Sequence, residues 1–208
     1  MILKLIVCII VGYLFGCFST GYLVGKKNNI NIKEEGSGNS GATNALRTMG
    51  VRAGAITFVG DLLKAFIPVL AVRFIFQDYD FWYLFCLYTG LGVVLGHNFP
   101  FWMHFQGGKG IAVTAAVIIC VADWRITVVG LIVFIAIVAV TRYVSIGSLV
   151  VAWLLTINTI LFWRDNPHFL HMLVLSLCFM VLAYVRHAQN IKRLLSGTES
   201  KIGSKKDK

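Results

Sequence analysis

The sequence predicts an all-α, polytopic membrane protein with seven transmembrane helices in a single domain, residues 1–208. Three observations carry that prediction. Of the 208 residues, 58% are hydrophobic and only 13% charged, with a mean hydropathy of +0.79, whereas a water-soluble domain carries roughly 25% charged residues. The apolar residues fall in long continuous runs and not in the alternation that a β-barrel requires. The two longest polar stretches, about Lys26–Gly50 and Arg186–Lys208, are each too short to enclose a core of their own. Function must therefore reside in the helices and the loops that join them.

In chain order, the first apolar run is Ile2–Val24, close to the length of about 20 residues that a bilayer requires. Leu14-Phe15-Gly16-Cys17 loosely resembles a lipoprotein cleavage box, but Phe15 is bulky for that site and further spans follow, so the run reads as an uncleaved helix. Ile56–Phe76 and Phe81–Gly96 supply the second and third helices. Ile111–Ala122 supplies a fourth that is short unless it starts near Gly107, and Ile126–Val140, Ile146–Trp163 and Phe169–Val185 complete the set. Gly12-x-x-x-Gly16, Gly21-x-x-x-Gly25, Gly50-x-x-x-Gly54 and Gly92-x-x-x-Gly96 place paired glycines one turn apart, which lets helices approach closely in lipid. The five cysteines lie in apolar runs without a Cys-x-x-Cys pair, and the five histidines show no metal-ligand spacing. No metal site, disulfide scaffold or cofactor is expected.

Basic residues fix the orientation, because Lys and Arg accumulate on the cytoplasmic side. With the N-terminus outside and the C-terminus cytoplasmic, 14 of the 19 basic residues fall inside, Lys205, Lys206 and Lys208 among them, against Lys4, Arg73, Arg125 and Arg164 outside. The net charge of +10 then reflects attraction to the anionic headgroups of the bilayer and calls for no nucleic acid. Lys64, the remaining basic residue, lies within the second run three residues after Asp61, so the two share a helical face and can pair as a structural tie. An unpaired charge at that depth costs about 2.5–3.5 kcal/mol.

Polar residues collect on the predicted inner face, in connections at about 26–50, 97–110, 141–148 and 186–199. The first contains Gly36-Ser37-Gly38-Asn39-Ser40-Gly41-Ala42-Thr43-Asn44-Ala45-Leu46-Arg47. Its small residues let backbone N–H groups turn toward one anion, while Ser37, Asn39, Thr43 and Asn44 add side-chain hydrogen bonds and Arg47 a bidentate grip. The second carries Gly107-Gly108-Lys109-Gly110 directly before an apolar helix, a phosphate-binding arrangement with Lys109 as a point charge. It is not a Walker A loop, since Gly110 stands where Ser or Thr would bind magnesium. The third contains Arg142, Ser145 and Ser148; in the fourth, His187 and Asn190 share a face if the segment is helical.

Arg47, Lys109, Arg142 and Arg186 can thus converge on one phosphate or two. Carboxylates on this side are few, only Glu34, Glu35, Glu199 and Asp207, which poorly supplies a paired-carboxylate mechanism. There is no Gly-x-Ser-x-Gly elbow, and no His is followed by Asp five positions later. What fits is chemistry on an already activated, phosphorylated substrate, driven by positioning and charge neutralisation. An organic-phosphate transporter is the alternative, but the outer loops offer no matching polar cluster and no internal repeat is visible. A structural or adaptor protein would leave glycine–lysine loops on consecutive inner connections unexplained.

The segment Gly36–Asn44 with Arg47, the Gly107–Gly110 loop, Arg142 with Ser145 and Ser148, and Arg186-His187-x-x-Asn190-Ile191-x-Arg193-Leu194 with Gly197 and Glu199 resemble, in order and over essentially the whole chain, the motifs of the bacterial acyl-phosphate:glycerol-3-phosphate acyltransferase family. The resemblance implies a seven-helix enzyme of the bacterial cytoplasmic (inner) membrane. Such an enzyme moves a fatty acyl group from acyl phosphate to the 1-hydroxyl of glycerol 3-phosphate, giving lysophosphatidate, the first step of phospholipid synthesis. It also implies a soluble enzyme that forms the acyl phosphate. By the same resemblance Gly107, Gly108, Lys109 and Gly110 belong to the glycerol-phosphate site, Ser37 and Arg47 are essential, His187 and Asn190 are active-site residues, and Glu199 is structural. Asn39, Gly41, Thr43, Asn44, Arg142 and Ser145 complete the expected substrate contacts. Ala65, Gln106 and Val113 depart from residues usual in the family.

Overall fold

The structure is a computed structural model and describes residues 1–203; Lys205, Lys206, Asp207 and Lys208 lie outside the described residues. The described chain is all-α. Six helical stretches are long and apolar enough to cross a membrane, at Ile2–Lys27, Val51–Phe76, Trp82–Met103, Trp124–Thr141, Val144–Phe162 and Phe169–Arg186. The fourth apolar run forms an 11-residue helix, Ile111–Val121, which rises only roughly 16 Å.

The first stretch is divided into α1 (Ile2–Gly16) and α2 (Thr20–Lys27). A break inside an apolar stretch exposes carbonyls that lipid cannot satisfy, and here side chains do so. Trp102 Nε1–H donates to the Cys17 carbonyl at 2.8 Å, and Lys64 Nζ donates to the Phe18 carbonyl at 2.7 Å. After α2, a loop leads to α3 (Ala42–Met49) and then α4 (Val51–Phe76). Helix α5 (Trp82–Asn98) is the centre of the molecule, with Tyr83, Phe85, Leu87, Val93 and Val94 fully buried. It packs on α1 through the glycines singled out by spacing. A Cβ at Gly12 or Gly16 would overlap the main chain of Thr89 or Val93, and one at Gly92 or Gly96 would overlap that of Ile9 or Tyr13.

A 3-10 turn at Phe101–Met103 and the glycine loop lead into α6 (Ile111–Val121). Helix α7 (Trp124–Thr141) is peripheral; Gly130 is its one buried residue. The sixth run is divided at Ala152 into α8 (Val144–Val151) and α9 (Leu154–Phe162), followed by α10 (Phe169–Arg186) and the short α11 (Ala188–Leu195).

Two ends result. At one, Lys4 Nζ bonds Tyr79 Oη at 2.9 Å, Asn166 Nδ2 donates to the Asp80 carbonyl at 2.9 Å, and Asp123 caps α7 while pairing with Arg125. At the other, all four expected polar connections meet. Lys33 Nζ reaches the Met103 carbonyl at 3.2 Å, Asn39 Nδ2 the Gly107 carbonyl at 3.5 Å, and Ser145 Oγ the Glu199 carboxylate at 3.0 Å.

Candidate active site

The glycine loop is held from two sides. The last carbonyls of a helix have no partner within it, and two of those at the end of α5 are filled by the returning chain: Gly107 N–H donates to the Asn98 carbonyl at 3.0 Å and Gly108 N–H to the His97 carbonyl at 2.9 Å. The loop carbonyls are taken by Arg186 at the end of α10, whose Nε donates to Gly108 O and Nη2 to Gly107 O, both at 3.0 Å, while its guanidinium lies 5.2 Å above the Phe99 ring. Gly110 has φ of +84°, the left-handed conformation that admits glycine without strain. The outcome is a loop sunk into the bundle, with Gly107, Gly108 and Gly110 buried and Lys109 projecting from the start of α6.

Lys109 Nζ donates to Asn190 Oδ1 at 2.5 Å, and Asn190 Nδ2 donates to Glu199 Oε1 at 2.6 Å. Arg193 Nε reaches Glu199 Oε2 at 2.7 Å and Ser145 Oγ adds a third donor to this carboxylate. Burial pushes the Lys109 ammonium down to about 8; Glu199 opposes that shift, and Arg193, Arg186 and Arg47 reinforce it. For Glu199, burial works upward, but the hydrogen bonds from Arg193, Asn190 and Ser145 prevail and hold the carboxyl below its usual value. His187 is buried, and its Nδ1–H donates to the Ala183 carbonyl at 2.8 Å. That bond fixes the tautomer and leaves Nε2 as an acceptor. Burial, then the neighbouring Lys109, lowers the imidazole to about 4, so it is neutral near pH 7.

The first loop is narrower than its sequence suggested, because the chain turns helical at Ala42. Thr43 and Arg47 therefore stand one turn apart on α3, both exposed. Asn44 is buried and structural: its Oδ1 accepts the Ser37 N–H at 2.9 Å and its Nδ2 donates to the carbonyls of Ile32 and Glu35. Asn39 accepts the Gly41 N–H at 2.9 Å and ties the loop to Gly107. Gly36 and Gly38 take φ of +62° and +67° and present Ser37 outward.

These pieces enclose a polar cleft of about 370 Å³, lined by Ser37, Asn39, Gln106, Gly107, Lys109, Arg186, Gln189 and Arg193 among others. Arg142 does not line it. Its guanidinium donates to the Ile202 carbonyl from Nε at 3.2 Å and from Nη2 at 2.9 Å, and its own carbonyl accepts the Ile202 N–H at 2.8 Å. In this structure Arg142 is held instead by the returning C-terminal segment. Ser145 likewise spends its hydroxyl on Glu199. Gln189 and Arg193 are lining residues that sequence reasoning missed. Their helical spacing is the signal that could have found them, since Gln189 and Arg193 stand four residues apart and share one face of α11. A lysine, two arginines and the dipole of α6 acting on one cleft suit a phosphate dianion.

The sequence profile described as glycerol-3-phosphate acyltransferase matches residues 6–197. A glycerol-3-phosphate acyltransferase of Clostridioides difficile (strain 630) is 41% identical over 208 residues, covering 99% of both chains. One from Thermoanaerobacter sp. (strain X514) is 38% identical over 197 residues, covering 94% of both. Among solved structures, the glycerol 3-phosphate form of PlsY (YgiH), an integral membrane glycerol 3-phosphate acyltransferase, superposes with a TM-score of 0.84 at 32% identity over 96% of both chains. Its lysophosphatidic acid form gives 0.81 over 96% of this chain and 95% of that one.

Proposed function

The chain belongs to the glycerol-3-phosphate acyltransferase family, integral membrane enzymes, and on that premise we propose that its cleft transfers a fatty acyl group from acyl phosphate to the 1-hydroxyl of glycerol 3-phosphate, releasing lysophosphatidate and inorganic phosphate. The observation that carries the assignment of the site is the open, cationic cleft around Lys109 at the start of α6.

Lys109, with Gly107, Gly108 and Gly110 shaping the loop, holds the glycerol phosphate. Ser37, Asn39 and Arg47, with Gly41 and Thr43 at the start of α3, receive the acyl phosphate and the charge that develops on its carbonyl oxygen. The glycerol hydroxyl oxygen attacks the acyl carbon, the bond from that carbon to the bridging phosphate oxygen breaks, and phosphate departs. Phosphate is a good leaving group, so no acyl-enzyme is required. We assign the departing phosphate as proton acceptor. His187, at about 4, is a weaker base than a phosphate monoester, which takes up its proton near pH 6. Its Nε2 lone pair instead orients the attacking hydroxyl, while Asn190 fixes Lys109.

An apolar groove of about 400 Å³ beside the α1–α2 break, lined by Leu14, Phe18, Leu23, Phe101 and Trp102, offers the acyl chain a place between helix and lipid. The connectivity supports seven crossings, since α5, α6 and α7 run alternately toward, away from and toward the cleft end. We place the N-terminus outside, the C-terminus in the cytoplasm and the cleft on the cytoplasmic face, following the basic residues.

The test is acyl transfer by purified protein in detergent from long-chain acyl phosphate to labelled glycerol 3-phosphate, with acyl-CoA in parallel. Label should enter lysophosphatidate with acyl phosphate, and Lys109→Ala should chiefly raise the KM for glycerol 3-phosphate. Absence of product from folded protein with either donor would refute the reading, and unchanged kinetics in the variant would refute the role of Lys109.

A further inference from the structure

Asp61, Lys64 and His97 are buried in the spanning region, and the acyl-transfer reading gives them no task. Lys64 Nζ lies 3.0 Å from Asp61 Oδ1, 2.7 Å from the Phe18 carbonyl oxygen and 2.7 Å from His97 Nδ1. An ammonium has three N–H donors and no acceptor. Asp61 meets it as an ion pair only, since Asp61 Oδ1 accepts no hydrogen bond, while the Phe18 carbonyl and His97 lie at hydrogen-bond distance, and a charged Lys64 makes His97 Nδ1 the acceptor in its bond. The proton of the neutral imidazole is then on Nε2, the edge of the ring that faces Gly108. A Cβ added at Gly108 would run into Nε2, Cε1 and Cδ2 of that ring. The carbonyl of the same histidine accepts the Gly108 N–H at 2.9 Å. His97 thus engages Gly108 twice, by main chain and by ring. A pair serving only to neutralise charge in the membrane would need neither contact, because Asp61 and Lys64 already satisfy each other electrostatically.

We infer that Asp61, Lys64 and His97 form a buried clamp that sets the position of the Gly107–Gly110 loop, with Lys64 and His97 acting as positioning residues for the phosphate of the acyl acceptor. The inference rests on the reading that this loop and Lys109 hold that phosphate. Arg186 grips the carbonyl side of the loop and the clamp braces its N–H side, so the two approach from opposite directions. Through Phe18 the clamp also joins the loop to the break between α1 and α2. Neither Lys64 nor His97 touches substrate; each acts through Gly108.

The clamp predicts a compensating pair, read by steady-state kinetics and melting temperature of the full-length enzyme in detergent. His97→Asn keeps an acceptor for Lys64 but withdraws the ring, and should raise the KM for glycerol 3-phosphate about tenfold with kcat changed less than about twofold. Gly108→Ala should raise KM by pushing the ring away. In the double variant the new methyl occupies the vacated space, so KM should return toward the wild-type value, a non-additivity that independent sites do not show. Replacing Asp61 and Lys64 together, as Asp61→Asn with Lys64→Met, removes both charges at once. It should raise KM selectively and add nothing to His97→Asn. Should His97→Asn fail to fold alone, recovery of both melting temperature and KM in the double variant supports the clamp, and recovery of neither overturns it. Additive effects at His97 and Gly108, or a loss confined to kcat, would overturn the clamp even where Lys109→Ala raises KM. A Lys109→Ala variant with unaltered KM would instead overturn the phosphate placement beneath it.

Discussion

Lys109 is the residue whose charge the site can least spare, and its environment puts that charge within reach of ordinary pH. Burial brings it down to about 8, well under the usual lysine value. The cation is therefore half lost at about pH 8 and goes on being lost as pH rises, so kcat/KM for glycerol 3-phosphate should fall above about pH 8. An acceptor bound as a dianion holds the proton on, so kcat at saturation should persist to higher pH than kcat/KM. A pH profile of both constants checks this, and coincident alkaline limbs would contradict it. Among the described residues, Glu199 is the charge that opposes this shift in Lys109. Glu199→Gln should move the alkaline limb of kcat/KM to lower pH, besides loosening Asn190, Ser145 and Arg193, which all donate to this carboxylate. A limb left in place would show that Glu199 acts by geometry alone. At this scale the sequence was informative wherever chemistry-bearing types stand among glycines, as Ser37 and Lys109 do. It was uninformative for Arg142, whose partner Ile202 is sixty residues away and is brought to it only by the return of the chain.

Elements were legible to within a few residues where apolar length alone decides them, as in Val51–Phe76, Trp82–Asn98 and Phe169–Arg186. They were less so where tertiary partners allow a departure. Nothing local announces the break between α1 and α2, because the groups that satisfy it, Trp102 and Lys64, lie far along the chain. Helix α3 was hidden by the glycines and polar residues around it; it forms because Asn44, buried against Ile32 and Glu35, anchors its first turn. The paired glycines were read correctly as places of close approach, and the structure shows which helices meet there. Gly92→Leu should accordingly force α1 off α5, and overpacking of this kind costs about 1–3 kcal/mol. Gly130→Ala on peripheral α7 meets only the flexible end of Leu154 and should cost much less. Melting temperatures of the two variants in detergent test the contrast, and equal losses would remove α1–α5 packing from its central place.

For the molecule as a whole, the decisive asymmetry is between its ends. The N-terminal end is pinned beside the α4–α5 connection by the bond from Lys4 to Tyr79, whereas the C-terminal segment folds over the cleft through Glu199 and Ile202. On the proposed seven-crossing arrangement, termini at opposite ends call for an odd number of traverses, and beside the six long stretches the seventh would be α6, 11 residues long. Such a helix is roughly half the apolar thickness of about 30 Å. We propose that it suffices because Gly107 and Gly108 fold back onto the last carbonyls of α5, at Asn98 and His97, so that protein covers the length α6 lacks. A phosphate-binding helix start can then sit at the depth where the acyl chain's head must be. If the basic residues orient the chain as proposed, Asp165 faces outward and Ser196 inward. In chains carrying Asp165→Cys or Ser196→Cys, a membrane-impermeant maleimide should label the first in intact spheroplasts and the second only after lysis. The five native cysteines are four buried and one partly so, which keeps their background low. Labelling in the reverse order would put the cleft outside and would overturn the orientation while leaving the fold untouched.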